Sequence, residues 1–166
     1  MQLHTSKNTS VNSCRLPAVY NKVDWDRLKQ AYSLSTDCPL VYDYGCGKYT
    51  EHIKEFLEGK GFSYVGYDKY WNPDAKLSYC PNVVICSNVL NVIDDPIVIN
   101  EIQIIIRMYH VPFFITVWEG DKSGIGKQSK QDCWQANKPL EDYIYRHDDV
   151  IKNQVLTRRN YLCYIR

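Results

Sequence analysis

The residues best suited to chemistry in this chain are two carboxylates and two glycines at a fixed spacing. Asp43, Gly45 and Gly47 follow an apolar run and precede a segment with helical periodicity. The glycines allow a tight turn and let a ligand approach the backbone closely. Asp68 ends the next predicted strand, roughly twenty residues further on, where a carboxylate accepts hydrogen bonds from a ribose diol. A glycine turn followed by such an acid is typical of a nucleoside-cofactor site.

The acid before the first glycine discriminates between the cofactors that such a turn binds. A dinucleotide site has the pattern GxGxxG, and Thr50 stands where its third glycine would be. Asp43 would repel a pyrophosphate, whereas it suits a ligand that carries an ammonium and a sulfonium. S-adenosylmethionine carries both groups. We therefore predict S-adenosylmethionine, with NAD as the disfavoured alternative.

Alternating strands and amphipathic helices must position these residues. Strands are predicted at 40–43, 62–67, 82–87 and 111–118, helices at 24–32, 50–59 and 94–108, and a final hairpin at 150–156 and 160–165. This order predicts an α/β fold: a Rossmann-like, mostly parallel sheet with helices on both faces and a C-terminal antiparallel hairpin. The glycine turn then falls at the carboxyl ends of the strands, where ligands of such sheets bind.

Composition limits the class of protein. A chain of 166 residues predicts a single domain over 1–166, and its net charge of +1 lacks the basic excess of a dedicated nucleic-acid binder. No apolar run is long enough to span a membrane and the polar N-terminus lacks a signal-peptide core, so we expect a cytoplasmic protein. The seven cysteines and four histidines show no metal-ligand spacing, so we expect no metal and, in the apolar runs, buried reduced thiols. Oligomeric state has no signal in the sequence.

Three segments resemble motifs of class I S-adenosylmethionine-dependent methyltransferases. Residues 42–48 look like their first motif, residues 65–68 like their second, and residues 86–93 like the loop after their fourth strand. The stretch VLNVI at 89–93 and the leading segment 8–18 are similar to small bacterial and phage members, including those described as associated with DNA phosphorothioation. The likeness extends from residue 8 to about residue 118.

The resemblance implies cofactor contacts at three places. Asp43 would bind the methionine amine, directly or through water. Gly45 and Gly47 would admit the cofactor, and Asp68 would hold its ribose hydroxyls. The other implied cofactor contacts are Tyr44, Lys69, Ser87, Asn88 and Val89. The chain departs from the family at Tyr49, where many members have a third small residue.

The implied reaction is direct transfer of a methyl group, with catalysis mainly by positioning. Glu119 is the first candidate for a general base, and Asn91 is a candidate polar positioner. Two other functions stay open: a catalytically silent cofactor-binding module and an enzyme that cleaves the cofactor. The segment Ser87–Leu90 is not the Asn/Asp-Pro-Pro-aromatic tetrad of DNA amino methyltransferases, which disfavours methylation of base amines. Cys86 lacks the preceding proline of cytosine-C5 enzymes, so the acceptor is left as a small molecule or a nucleic acid.

Two further segments have alternative interpretations. Residues 119–137 form either a substrate-side loop, with Trp134 for stacking and Gln135 and Asn137 for hydrogen bonding, or a solvated surface loop. Residues 1–23 form either a lid that closes over the cofactor, using Arg15 or Tyr20, or a free tail.

Overall fold

The fold is known from a computed structural model. It describes residues 7, 14–93, 95–128, 133–143, 150–157 and 160–165, with the backbone alone at 98, 103, 105–107 and in the two C-terminal strands. The elements are α1 Trp25–Tyr32, β1 Leu40–Tyr44, α2 Glu51–Gly59, β2 Ser63–Tyr67, β3 Val83–Ser87, α3 Pro96–Tyr109, β4 Phe113–Trp118, β5 Lys127–Gln128, β6 Trp134–Gln135, β7 Val150–Thr157 and β8 Asn160–Ile165. Short 3-10 helices lie at Ala18–Asn21, Leu90–Val92 and Leu140–Asp142.

The main sheet has six strands in the order β2-β1-β3-β4-β8-β7. Strands β1 to β4 are parallel to one another. β8 pairs antiparallel with β4, and β7 pairs antiparallel with the other edge of β8. The predicted α/β class, the mostly parallel sheet and the C-terminal antiparallel hairpin are therefore confirmed. Chain order reverses across β1, because β2 lies on one side of it and β3 on the other. The carboxyl ends of β1 and β3 at such a switch point form the usual ligand crevice.

Both faces of the parallel sheet are covered, as the nearly continuous apolar strands predict. Successive side chains of a strand point to opposite faces. Val41 accordingly packs in a cluster with Trp25 of α1 and Ile53 of α2. Its neighbour Tyr42 packs in the opposite cluster, which includes Ile102 of α3. Asp43 is the next residue on β1, so its side chain lies on the same face as Val41.

Capping residues set the helix starts. Asp24 accepts a hydrogen bond from the Arg27 backbone N–H at 3.0 Å at the start of α1. Asp95 accepts one from the Ile97 N–H at 3.0 Å, with Pro96 in the first turn of α3. The helices predicted at 24–32 and 94–108 therefore begin at aspartate caps, while Asp94 lies outside the described residues. No helix in the part of the chain that the structure describes is long and apolar enough to cross a membrane.

The polar segment 119–137 contains more structure than a loop. β5 and β6 pair antiparallel, with Lys127 opposite Gln135 and Gln128 opposite Trp134. Residues 129–132 of this segment lie outside the described residues. Six cysteines are described as free thiols: Cys86, in an apolar run, is buried as expected, Cys46 and Cys133 are also buried, and Cys14, Cys38 and Cys80 are exposed.

Candidate functional site

The glycine turn at the end of β1 closes onto the end of β2. The backbone N–H groups of Gly45 and Cys46 both donate to the Tyr67 carbonyl oxygen, at 2.7 and 3.0 Å. The N–H of Gly47 donates to Oδ2 of Asp68 at 3.1 Å. Both glycines have positive φ, 82° at Gly45 and 77° at Gly47, which is the left-handed region that favours glycine.

These three bonds determine what the turn can bind through its backbone. A phosphate cradle needs successive N–H groups that point at the ligand. The amides of residues 45–47 instead donate to Tyr67 at the end of β2 and to Asp68, which follows it. These three amides are therefore not available as donors to a pyrophosphate.

Asp43 is a buried carboxylate with two unlike oxygens. The residue is 3% exposed, and its Oδ2 accepts hydrogen bonds from the Tyr20 hydroxyl at 2.6 Å and the Tyr64 hydroxyl at 3.2 Å. Its Oδ1 is buried and has no hydrogen-bond partner among the described residues. Burial raises the pKa of Asp43 to about 6, and the two tyrosine hydrogen bonds oppose that rise because they stabilise the ionised form.

Packing holds the two tyrosines in place. The Tyr20 ring stacks on Trp25 at 6.0 Å and meets Phe56 edge-on at 6.4 Å, and the Trp25 indole N–H donates to the Tyr20 carbonyl oxygen at 2.7 Å. The position of the Tyr64 side chain requires a glycine at residue 66, two residues later on the same face of the strand. A Cβ at Gly66 would lie only 2.6 Å from the Tyr64 hydroxyl oxygen. Tyr20 is thus a buried member of the core cluster that includes Trp25 and Val41.

Asp68 joins two turns at the carboxyl end of β2. It is 4% exposed, and besides the Gly47 N–H it accepts the backbone N–H groups of Tyr70 at 2.9 Å and Trp71 at 3.2 Å through Oδ1. A carboxylate offers about four acceptor positions. Three are in use, which leaves one for a further donor such as a ribose hydroxyl.

Lysines and aromatic rings form the rim beside the turn. The Lys48 Nζ lies 4.7 Å from the Trp71 ring centroid and 5.2 Å from that of Tyr49, which is exposed. Lys69, predicted as a cofactor contact, lies with its Nζ 5.6 Å from the Tyr70 ring centroid. These distances are within the range of cation–π attraction. The large Tyr49 side chain, which departs from the family pattern, therefore stands at the rim and not inside the turn.

The loop after β3 lies against the glycine turn. A Cβ at Gly45 would overlap Cγ2 of Val89. The Ser87 and Thr116 hydroxyls are 2.9 Å apart, and the Asn88 N–H donates to the Thr116 carbonyl oxygen at 2.8 Å. Asn88 is exposed and has a positive φ of 56°. Of the predicted contacts at 87–89, Val89 therefore lies against the turn, while Ser87 and Asn88 bond to Thr116.

Tyr44 lies on the α3 side of the sheet within a group of three tyrosines. Its ring centroid is 6.3 Å from that of Tyr42 and 5.1 Å from that of Tyr67. Burial, with a smaller effect of Tyr67, raises the pKa of Tyr44 above its ordinary value. Tyr44 and Asp43 therefore line opposite faces of the same strand end.

Glu119 occupies a structural position. The residue is fully buried, its Oε1 accepts the Leu140 backbone N–H at 2.8 Å, and its Oε2 lies 2.7 Å from the Lys122 Nζ. Both oxygens are thus engaged by the protein. This geometry ties the end of β4 to the 3-10 helix at Leu140–Asp142, which is a different task from that of a general base.

The remaining acceptor-side candidates form an internal network. The Asn91 side-chain amide donates to Oε1 of Gln135 at 3.1 Å, and the Gln135 amide donates to the Trp118 carbonyl oxygen at 2.8 Å. The Asn137 amide donates to the Ile125 carbonyl oxygen at 3.0 Å. Trp134 lies over Gly126, where a Cβ would overlap its indole. The structure therefore brings these residues together as the framework of the 119–137 segment.

Sequence reasoning missed Tyr64 and gave Tyr20 a different role. The sequence pattern assigns Tyr64 to an apolar strand and does not indicate that its hydroxyl binds a site residue. The strand register does indicate it. Asp43 pairs with Gly66, which has no side chain, and Val41 pairs with Tyr64, so the tyrosine side chain can extend over Gly66 towards the acid.

Resemblance to class I methyltransferases is carried by the motif residues alone. No protein-family model matches the chain, and no curated protein is significantly similar to it. The four parallel strands of the main sheet and the helices that cover them are compatible with a Rossmann-like fold.

Proposed function

We propose that the protein binds S-adenosylmethionine beside the turn at residues 43–47 and transfers its methyl group to an acceptor. The observation that carries this proposal is the Asp43 carboxylate, whose Oδ1 is buried without a partner at the strand end where such sheets bind ligands. A buried carboxylate oxygen without a donor is costly, and a ligand that supplies a cationic donor recovers that cost. The occupied amides of the turn favour this cofactor over a dinucleotide.

The residues of the turn fit the cofactor at its amine and at its ribose. Because Oδ1 of Asp43 is buried, the ligand's amine reaches it through a water molecule or after a small opening of the turn. Asp68 has one acceptor position left for the ribose. Tyr44, Gly45, Gly47 and Lys69 adjoin the two acids along the chain, and Val89 packs against Gly45, so these residues with Ser87 and Asn88 make up the proposed binding surface.

The cofactor supplies an electrophilic methyl group on a sulfonium. The protein's part is to bind and orient: the acids fix the two ends of the ligand, and the loop at Ser87–Val89 limits where it can move. Positioning of this kind lowers the barrier of a direct displacement substantially. The acceptor class stays open between a small molecule and a nucleic acid, and the segment Ser87–Leu90 disfavours base amines as acceptor atoms.

A catalytically silent cofactor-binding module is the second candidate. The observation that favours it lies on the acceptor side: Glu119, Asn91, Gln135 and Asn137 all make hydrogen bonds within the protein. These bonds engage the Asn91 amide nitrogen, both polar atoms of Gln135 and the Asn137 amide nitrogen, whereas Oδ1 of Asn91 is buried without a hydrogen-bond partner among the described residues.

Methyl-labelled cofactor separates the candidates. The protein is incubated with the labelled cofactor and, in turn, with DNA, RNA, protein and small-molecule fractions, and the label is followed in each. Label in one fraction supports the methyltransferase. Binding without transfer supports the silent module, and loss of cofactor without a labelled acceptor supports cleavage of the cofactor.

A further inference from the structure

The two oxygens of Asp43 are held in different states by the fold. Oδ2 receives two tyrosine hydroxyls, one from the 3-10 segment Ala18–Asn21 and one from β2. Oδ1 receives none among the described residues. A carboxylate whose one oxygen is fixed presents the other in a fixed direction, which is the property of a recognition group.

Among the described residues, the groups that shift the pKa of Asp43 include no positive charge. The ionisable groups around it are Tyr20, Tyr64 and Asp68, and the thiols of Cys46 and Cys86. Burial raises the pKa of both thiols, so they are neutral at physiological pH. None of the ion pairs given for the described residues involves Asp43. The tyrosine hydroxyls are therefore the groups that stabilise its ionised form.

We propose that Tyr20 and Tyr64 are positioning residues that keep the Asp43 carboxylate ionised and oriented, so that the preference of the site for a nucleoside with an amino-acid side chain depends on both hydroxyls. This inference rests on the proposed function and adds to it the basis of ligand selectivity. Tyr20 and Tyr64 act through Asp43 and do not contact the reacting methyl group.

Selectivity of this kind follows from the cost of an unpaired buried group. A site built to hydrogen-bond one ligand group rejects an analogue that lacks it, because the site's own polar atom is then left unpaired. S-adenosylhomocysteine and 5′-methylthioadenosine are both neutral at sulfur, and only the first carries the amino-acid part. Their ratio of affinities therefore measures recognition of that part without the sulfonium charge.

The test measures the dissociation constants of both ligands between about pH 5 and pH 8 for the wild type, Tyr20→Phe and Tyr64→Phe. The wild type is expected to prefer S-adenosylhomocysteine by about 10- to 100-fold near neutral pH. That preference falls at low pH as Asp43 becomes protonated. In each phenylalanine variant the fall occurs at higher pH, because one stabilising hydroxyl of the carboxylate is gone, and the preference recovers as the pH is raised further.

Tyr32→Phe is the matched control. Its hydroxyl donates to the Asn82 carbonyl oxygen at 2.9 Å, at the opposite end of β1, so the variant loses a tyrosine hydrogen bond without touching Asp43. Its pH profile is expected to match that of the wild type. Circular dichroism establishes that each variant is folded, and Tyr64→Phe carries the test if Tyr20→Phe unfolds.

Two results overturn the inference and leave the proposed function standing. One is equal affinity of the wild type for the two ligands while S-adenosylmethionine binds. The other is a wild-type pH profile in both phenylalanine variants. Folded protein that binds none of the three ligands overturns the proposed function as well.

Discussion

The Tyr20 hydroxyl donates a 2.6 Å hydrogen bond to Oδ2 of Asp43, across 23 residues of sequence. The bond joins the 3-10 segment before α1 to the end of β1, at the base of the glycine turn. Both residues are buried, so the bond is made out of contact with solvent, where a charge-assisted hydrogen bond is strong. The N-terminal segment is therefore part of the candidate site.

Replacement of Asp43 by Asn is expected to change how stability depends on pH. The folded-state pKa of about 6 lies above the ordinary 3.8, so the folded protein favours the protonated acid. This stabilisation is fully present below about pH 4 and is lost as the pH rises to about 6, a total of about 3 kcal/mol. The free energy of unfolding of the variant does not contain this pH-dependent contribution. Urea unfolding of both proteins from about pH 4 to pH 7 measures the difference between their unfolding free energies. A difference that stays constant over this range contradicts the burial of an ionisable Asp43.

Gly45→Ala is expected to destabilise the fold more than Gly124→Ala. Both glycines have positive φ, 82° and 70°, so both substitutions strain the backbone by about 1–2 kcal/mol. A Cβ at Gly45 also overlaps Val89, whereas a Cβ at Gly124 has nothing within 4 Å. The overlap adds about 1–3 kcal/mol. Val89→Ala in the Gly45→Ala background should recover part of that addition, and equal unfolding free energies for the two alanine variants would count against the contact.

Asp68→Asn is expected to loosen the two turns that meet at the end of β2. The amide nitrogen that replaces one carboxylate oxygen faces backbone N–H groups, so at least one bond to Gly47, Tyr70 or Trp71 is lost. The expected cost is about 2 kcal/mol in the free energy of unfolding. Asp74→Asn, at an exposed position outside this arrangement, should change it by less than about 0.5 kcal/mol. A similar cost for both variants contradicts the role given to Asp68.

Glu119 and Lys122 are expected to behave as a coupled pair that supports the fold. Lys122→Met leaves the buried Glu119 carboxylate without its cation and should lower the free energy of unfolding by about 2 kcal/mol. This is less than for a fully buried pair, because half of the lysine side chain is exposed to solvent. Adding Glu119→Gln should recover part of this loss, because the neutral amide still accepts the Leu140 N–H. Additive destabilisation in a double-mutant cycle would show that the pair is not coupled.

Much of the fold could be predicted from the sequence because periodicity and caps act locally. The strands and helices appear where alternation and helical spacing place them, and the differences have local causes. β4 begins at Phe113 and not at 111, since Pro112 has no N–H and contributes only its carbonyl, which accepts the Val84 N–H at 2.9 Å. β2 begins at Ser63 because the Phe62 N–H bonds the Leu57 carbonyl at the end of α2.

The candidate site could be predicted only in part. The glycine turn, Asp43 and Asp68 were found because strand, turn and acid lie close together in the sequence. The engagement of Glu119, Gln135 and Asn137 in internal bonds depends on tertiary contacts, which spacing does not reveal. The same holds for Tyr64, whose hydroxyl reaches Asp43 only because β1 and β2 are neighbours in the sheet.

Titration calorimetry with S-adenosylmethionine at neutral pH, on the wild type and on Asp43→Asn, tests the central claim most directly. The wild type is expected to bind at one site, and the variant to bind about 10- to 100-fold more weakly while unfolding as cooperatively as the wild type. Folded wild type that does not bind the cofactor, or a variant that binds it as tightly as the wild type, would contradict the account.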